Sequence, residues 1–500
     1  MKMASHILLA AALVAATPLH AQNAVPDTPV TEAELRADIA ALADDAMLGR
    51  LPGTAGETLA AQYIARAFAA AGFVGGADVS GGWYQPVPLV TLGYVDDLTM
   101  VRDRAGRMVD GLHIINRAPA GGRVELDDAS LIFVGHGVGA DGHVLGDVRG
   151  KIAIMVTDDR PGDNALSAEQ RRAALAAAGA VGIWSVPPAR FPFAVIQRQY
   201  RGGRMQLAAR ILPLRIEGVI DHPTLARLFS LSGRDGADVL AHMAADDFAA
   251  IDLGPRANVQ VTTLRRDFNS YNVVARRPGS HSDAGAVLIT GHWDHLGECR
   301  PAGSEDRICN GAVDNASGIA TMIAVARRLG QGTPMDRDVI LIATTAEEQG
   351  LLGAYHYAAH PTVPLNKITI ALNIDTVAIA PRGAPMAIVG RGANPYDAEI
   401  DAVARALGRA VDSDLDANAF IRRQDGWALG AAGVPSIMAG GSFSDMAPLE
   451  AYLEGPYHAP NDELTDAVPL GGAADDGDLH IALARHFANL ATHPASNSAD

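Results

Sequence analysis

Three short apolar runs in the second half of the chain each end at a side chain able to bind a metal. Residues 286–290 (Ala-Val-Leu-Ile-Thr) lead into Gly291 and His292, and residues 338–344 (Asp-Val-Ile-Leu-Ile-Ala-Thr) end just before Glu347 and Glu348. Residues 368–374 (Ile-Thr-Ile-Ala-Leu-Asn-Ile) end at Asp375. Their length and β-branched content predict strands. Between the first two lies Gly-Ala-Val-Asp-Asn-Ala-Ser-Gly from Gly311 to Gly318, followed by an apolar stretch at 319–329 with the length and composition of a buried helix. Strands alternating with helices predict an α/β fold, with a mostly parallel mixed sheet and helices on both faces. Ligands bind such sheets just beyond the carboxyl ends of the strands, so these metal-type residues are expected to form one site.

The first half reads differently. Residues 31–73 carry two helical patterns around the segment Met-Leu-Gly-Arg-Leu-Pro-Gly-Thr-Ala-Gly-Glu that ends at Glu57. A β-rich stretch follows, with apolar runs at 131–137, 147–156 and 176–184, and residues 270–279 read as a further strand. The Gly- and Ala-rich region from Gly471 reads as a low-complexity end open to fraying. No internal repeat is visible.

Residues 1–21 combine one Lys, an apolar run at 7–16, Pro18 and the cleavable Leu19-His20-Ala21. The apolar run is too short to span a bilayer, so a secretory signal peptide is expected rather than an anchor. No Cys stands at the cleavage point, which speaks against a lipid anchor. The mature chain is therefore expected to be exported, periplasmic or secreted, without a stable membrane anchor. Cys299 and Cys309 are the only cysteines, and in an oxidising compartment a pair this close predicts a disulfide. It would constrain the unfolded chain by roughly 3 kcal/mol and fix a loop between two of the metal-type motifs.

Length and charge narrow the picture less. Five hundred residues, 48% of them hydrophobic, suit two domains with sizeable cores. A net charge of −17 argues against nucleic acid or anionic membranes as partners.

A hydrolytic metal centre needs hard or borderline ligands, an open position for water and an adjacent base. His292, Asp314, Glu347, Glu348, Asp375 and His458 meet that need: one carboxylate can bridge two ions, two His and two carboxylates complete the ligand sets, and one carboxylate is left as base. With these motifs the chain resembles the co-catalytic zinc exopeptidases that include bacterial zinc aminopeptidases and glutamate carboxypeptidase. The resemblance covers most of the chain after residue 30. It implies two Zn(2+) per chain, with His292 and Asp375 on the first zinc, Glu348 and His458 on the second, and Asp314 bridging them. It implies Glu347 as general base, Asp294 as the carboxylate that orients His292, and Tyr457 as a group that holds the oxyanion. It also implies a cis peptide bond after Asp314. By the same resemblance, residues 121–261 form a β-rich inserted protease-associated domain, and residues 22–120 with 262–500 form the discontinuous catalytic domain.

The expected activity is hydrolysis of peptide bonds, most simply as an aminopeptidase that releases N-terminal residues through a two-metal-activated water. Carboxypeptidase or dipeptidase action on the same di-zinc centre is the first alternative; a non-catalytic receptor-like module and a single-zinc glutaminyl cyclase are further ones. His295 and His356 match no motif and read as structural or surface residues. Gln424-Asp425-Gly426 stands where relatives carry Ser-Asp-His, which puts any contact made by that His in doubt. Phe443, Met446 and Tyr452 are candidates for an apolar specificity pocket.

Overall fold

The computed structural model describes residues 28–139, 141–158, 166–245 and 247–494. The expected signal peptide at residues 1–21 lies outside them. Among the described residues no helix is long and apolar enough to cross a membrane.

The predicted strands form the centre of the sheet. Ala286–His292 runs parallel to Asp338–Thr344 on one side and to Ile368–Asn373 on the other, and Ile368–Asn373 runs parallel to Ser436–Gly440. The first two of these strands are buried along their whole length, as expected of a parallel sheet covered on both faces and of sequences that are apolar without alternation. Ala387–Val389 closes one edge antiparallel to Ser436–Gly440. The helix Ser317–Leu329 packs among the strands and the helices Glu32–Leu42, Ala55–Ala70 and Leu470–Ala488 in one continuous core.

The 27-residue strand Ile251–Arg277 carries the sheet onward. Its C-terminal part pairs antiparallel with Asp338–Thr344, its middle with Tyr84–Arg102, and its N-terminal part with Gly122–Phe133. From there Ile152–Val156, Gly182–Val186 and Ile216–Ile220 follow in parallel, with Ile114–Arg117 antiparallel at the far edge. These strands enclose a second core that includes Phe133, Trp184 and Phe229.

Two local readings change. The segment expected to be β-rich also carries the helices Ala168–Ala177, Phe193–Arg201, His222–Leu231 and Gly236–His242. Ala168–Ala177 begins at a capping box in which Ser167 and Gln170 satisfy each other's backbone N–H groups. Ala176 and Ala177 are the last residues of that helix, and the strand starts at Gly182. The Gly- and Ala-rich C-terminal region is the buried 19-residue helix Leu470–Ala488, not a frayed end. Its glycines serve close packing: a Cβ on Gly472 would meet the Ala380 carbonyl oxygen at 2.2 Å.

Candidate metal centre

The sheet delivers each metal-type residue to one place. His292 is the last residue of its strand, Glu347 and Glu348 lie just after Asp338–Thr344, and Asp375 just after Ile368–Asn373. Asp314 sits in the turn that starts Ser317–Leu329, and His458 in the loop before Leu470–Ala488. His292 Nε2 is 3.2 Å from Asp314 Oδ1 and 3.5 Å from Asp375 Oδ1. On the other side of Asp314, His458 Nε2 is 3.3 Å from Asp314 Oδ2 and 2.8 Å from Glu348 Oε2. The two oxygens of Asp314 thus face two separate donor sets, and Glu347 Oε2 lies 3.9 Å from His292 Nε2.

These donors fit cations better than they fit each other. His458 Nε2 is buried and makes no aligned hydrogen bond despite its short distance to Glu348, the geometry expected when nitrogen and oxygen lone pairs face a common point. Nitrogen and carboxylate oxygen are the donors zinc takes, three from protein where one position must stay open. His292, Asp314 and Asp375 could hold one ion; Asp314, Glu348 and His458 could hold a second. His295, Asp314 and Glu348 also bring ligand atoms within 4.8 Å of one another.

The electrostatics say the same. Asp294, Asp314, Glu347, Glu348, Asp375 and Asp425 crowd into a mostly buried space, and buried charges require compensation. Burial, with the charges of Glu348, Asp425 and Asp375, pushes the Glu347 carboxyl well above the usual carboxylate range. Burial pushes Asp294 up to about 8 and Asp425 up to about 6. Burial would depress His292, but the charges of Glu347 and Asp375 outweigh it and hold its pKa well above that of free imidazole.

The supporting contacts were only partly foreseen. The peptide bond between Asp314 and Asn315 is cis, as the resemblance implied. The Asn315 side chain donates to the Ile374 carbonyl and accepts from the N–H groups of Gly318 and Thr376, so it ties the Asp314 turn to the Asp375 turn. Asp462 accepts the N–H groups of Val313 and Asp314 at 3.0 and 3.1 Å. His292 Nδ1 meets the backbone carbonyl of Asp294 at 3.1 Å, whereas the Asp294 carboxylate is 3.9 Å away and accepts the Glu347 N–H at 3.0 Å. The main chain of residue 294 orients His292, and its side chain holds Glu347.

Of the two readings for His295, structural or surface, the structure supports the first: it is fully buried with Nδ1 2.6 Å from Glu348 Oε1. Asp425, in the variant Gln-Asp-Gly motif, reaches Thr344 Oγ1 beside the site. Arg50 also escaped notice: its guanidinium is buried and donates to the carbonyls of Leu42, Trp293, Asn310 and Gly311. The disulfide joins Cys299 and Cys309 as expected.

A cavity opens on His292, Asp314, Glu347 and Asp375, walled by Phe420, Met438, Phe443, Leu449 and Leu453. Phe443 lines it as anticipated. Tyr452 is instead buried with its hydroxyl on Asp462, and Met446 packs against the core. Tyr457 stacks on His458 at 3.7 Å between ring centroids, and its hydroxyl accepts from Arg423 at 3.1 Å.

Residues 272–480 match the model of peptidase family M28 and contain every one of the expected site residues. Over this region, which is less than half of the chain, the protein is similar to peptidase family M28. Over 133 residues it is 32% identical to a vacuolar membrane protease of Candida glabrata, covering 27% of this chain and 12% of that protein. Over 149 residues it is 26% identical to aminopeptidase YwaD of Bacillus subtilis, covering 30% of each. The aligned stretches thus span less than a third of these relatives' own lengths. The fold is similar to that of an aminopeptidase from Aneurinibacillus sp. strain AM-1, with a TM-score of 0.52 over 92% of this chain and 94% of that one. At 19% sequence identity the likeness is one of fold.

Proposed function

We propose that this protein is an exported zinc exopeptidase of the M28 kind that releases N-terminal residues from peptides. The observation that carries the reading is the placement of Asp314 between two donor sets, His292 with Asp375 and His458 with Glu348. Two zinc ions held there would act as Lewis acids on the scissile carbonyl and lower the pKa of water towards 7. Glu347 takes the proton of the attacking water and delivers it to the leaving amine. Asp294 fixes that base by accepting its backbone N–H. Arg423 donates to the Tyr457 oxygen, which leaves the phenolic proton free to point at the oxyanion of the tetrahedral intermediate. Burial, together with the charges of Asp314 and Glu348, raises the Tyr457 pKa, so the hydroxyl stays protonated at neutral pH.

Aminopeptidase action is preferred to its alternatives because aminopeptidase YwaD of Bacillus subtilis and the aminopeptidase from Aneurinibacillus are among the proteins this chain is similar to. The disulfide fits export to an oxidising compartment, and residues 121–261 are taken as an inserted protease-associated domain.

The test is hydrolysis by zinc-loaded protein of matched peptides with free ends, N-acetylated copies and C-amidated copies. Loss of cleavage on acetylation alone is the expected result. Loss on amidation alone would make the enzyme a carboxypeptidase, loss on both a dipeptidase, and no cleavage of any member would overturn the peptidase reading.

A further inference from the structure

A second cluster of metal-type side chains stands apart from the catalytic centre, where the end of the last helix meets Asp397–Ala406. Glu399 lies in the first turn of that helix, His486 in the last turn of Leu470–Ala488, and His493 in the turn that follows. His486 Nε2 is 2.8 Å and His493 Nδ1 is 2.9 Å from the same oxygen, Glu399 Oε2. The three residues offer ligand atoms that all lie within 4.8 Å of one another.

The backbone builds this convergence. The N–H of His493 returns to the Asn489 carbonyl at 2.9 Å, and Thr492 Oγ1 donates to the His486 carbonyl at 2.6 Å, so the chain folds back and brings His493 beside His486, with 6.2 Å between ring centroids. Arg337 clamps the turn through the carbonyls of Phe487 and His493 at 2.7 and 2.8 Å. Phe487 and Tyr396 pack on the His493 ring at 5.0 and 5.1 Å between centroids. The imidazoles are therefore held in place by their packing, while the Glu399 side chain is 39% exposed and leaves a path for an ion.

The geometry points to a third metal site, in which Glu399, His486 and His493 bind a borderline divalent cation of the zinc class. Two imidazole nitrogens and one carboxylate oxygen form a zinc donor set, and the fourth position opens to water. Two ligand atoms on a tetrahedral zinc lie roughly 3.3 Å apart, so both contacts to Glu399 need open by only about half an ångström. The glutamate and the two histidines come from opposite sides of a helix–turn contact. A bound ion would therefore pin the C-terminal turn to Asp397–Ala406, a structural task independent of the catalytic centre.

The test counts zinc in untagged protein dialysed against the same zinc buffer, as wild type and as the double variant Glu399→Gln with His486→Asn. The expected result is one zinc fewer per chain in the variant with unchanged turnover. Equal zinc content in the two proteins would overturn the site. Should the variant lose turnover as well, wild-type crystals grown with zinc decide: anomalous density at bonding distance from His486 Nε2 and His493 Nδ1 is expected. Its absence there overturns the site, whatever the catalytic centre holds.

Discussion

His295 Nδ1 stands 2.6 Å from Glu348 Oε1, and both carboxylate oxygens of Glu348 are thereby engaged, since Oε2 faces His458 at 2.8 Å. His295 fixes the rotation of a proposed zinc ligand. A partner of this kind contributes roughly 10–100-fold in metal affinity or activity. His295→Ala is accordingly expected to weaken zinc binding by about that factor, and His295→Gln to recover part of it. Zinc competition titration measures the effect, and wild-type affinity in His295→Ala would remove His295 from the centre.

Asp294 makes a different prediction from the one its place in an H-x-D motif suggests. Its carboxylate bonds the Glu347 N–H, while the His292 ring is held by the backbone carbonyl of the same residue. Asp294→Ala should lower kcat by about 10-fold or more with little change in zinc affinity, and Asp294→Asn, which keeps an acceptor, should restore most of the rate. A drop in zinc affinity with kcat per bound zinc preserved would return Asp294 to the role of orienting His292.

The contrast between these residues shows what could be read in advance. His292, Asp314, Glu347, Glu348 and Asp375 were legible because each follows an apolar run or opens a helix, and a parallel sheet sends such positions to one edge. His295, Arg50 and Asp425 carry no periodic signal. Each acts through a contact made across long sequence separation, such as Arg50 with the carbonyls of Trp293 and Gly311. The helix Leu470–Ala488 was missed for a related reason. Gly471, Gly472 and Gly477 lower its intrinsic helix propensity, and its stability comes from close approach to neighbours such as Ala380.

In the second core, Glu217 is buried between Arg117, 2.6 Å from Oε1, and Arg172 on Oε2. Burial would raise the carboxyl, but the charges of Arg117, Arg172 and Arg204 outweigh it and bring its pKa from 4.5 down to about 2. A depressed folded-state value means the ion pair stabilises fully above the unfolded pKa. That stability is lost as pH falls from 4.5 towards about 2. Its size is on the order of 3 kcal/mol. Urea unfolding should therefore show a wide gap between wild type and Glu217→Gln at neutral pH that narrows through this window. A gap independent of pH would mean that the charge of Glu217 contributes nothing.

Arg50 joins the N-terminal segment to the loop that carries the disulfide. Asn310 and Gly311, two of its four carbonyl partners, directly follow Cys309, and Ile308–Cys309 pairs with Gly297–Glu298. The adjoining Gly49, at φ +59°, comes so close that a Cβ there would meet the Cys309 carbonyl oxygen at 2.5 Å. Arg50 and the disulfide therefore hold the same stretch, which leads three residues later to Asp314. Arg50→Met would strip this donor from the carbonyls of Leu42, Trp293 and Asn310, with Gly311 keeping the Ala316 N–H at 3.1 Å, and should cost on the order of 3–5 kcal/mol. Arg50→Lys should recover only part, because a single ammonium cannot reach the spread of acceptors that the guanidinium fork does. Replacing both cysteines with Ala should cost roughly 3 kcal/mol by itself. Because the two restraints share one loop, the combined variant should lose less than the sum. A double-mutant cycle by chemical denaturation measures this, and strict additivity would mean that Arg50 and the disulfide stabilise separate parts of the fold.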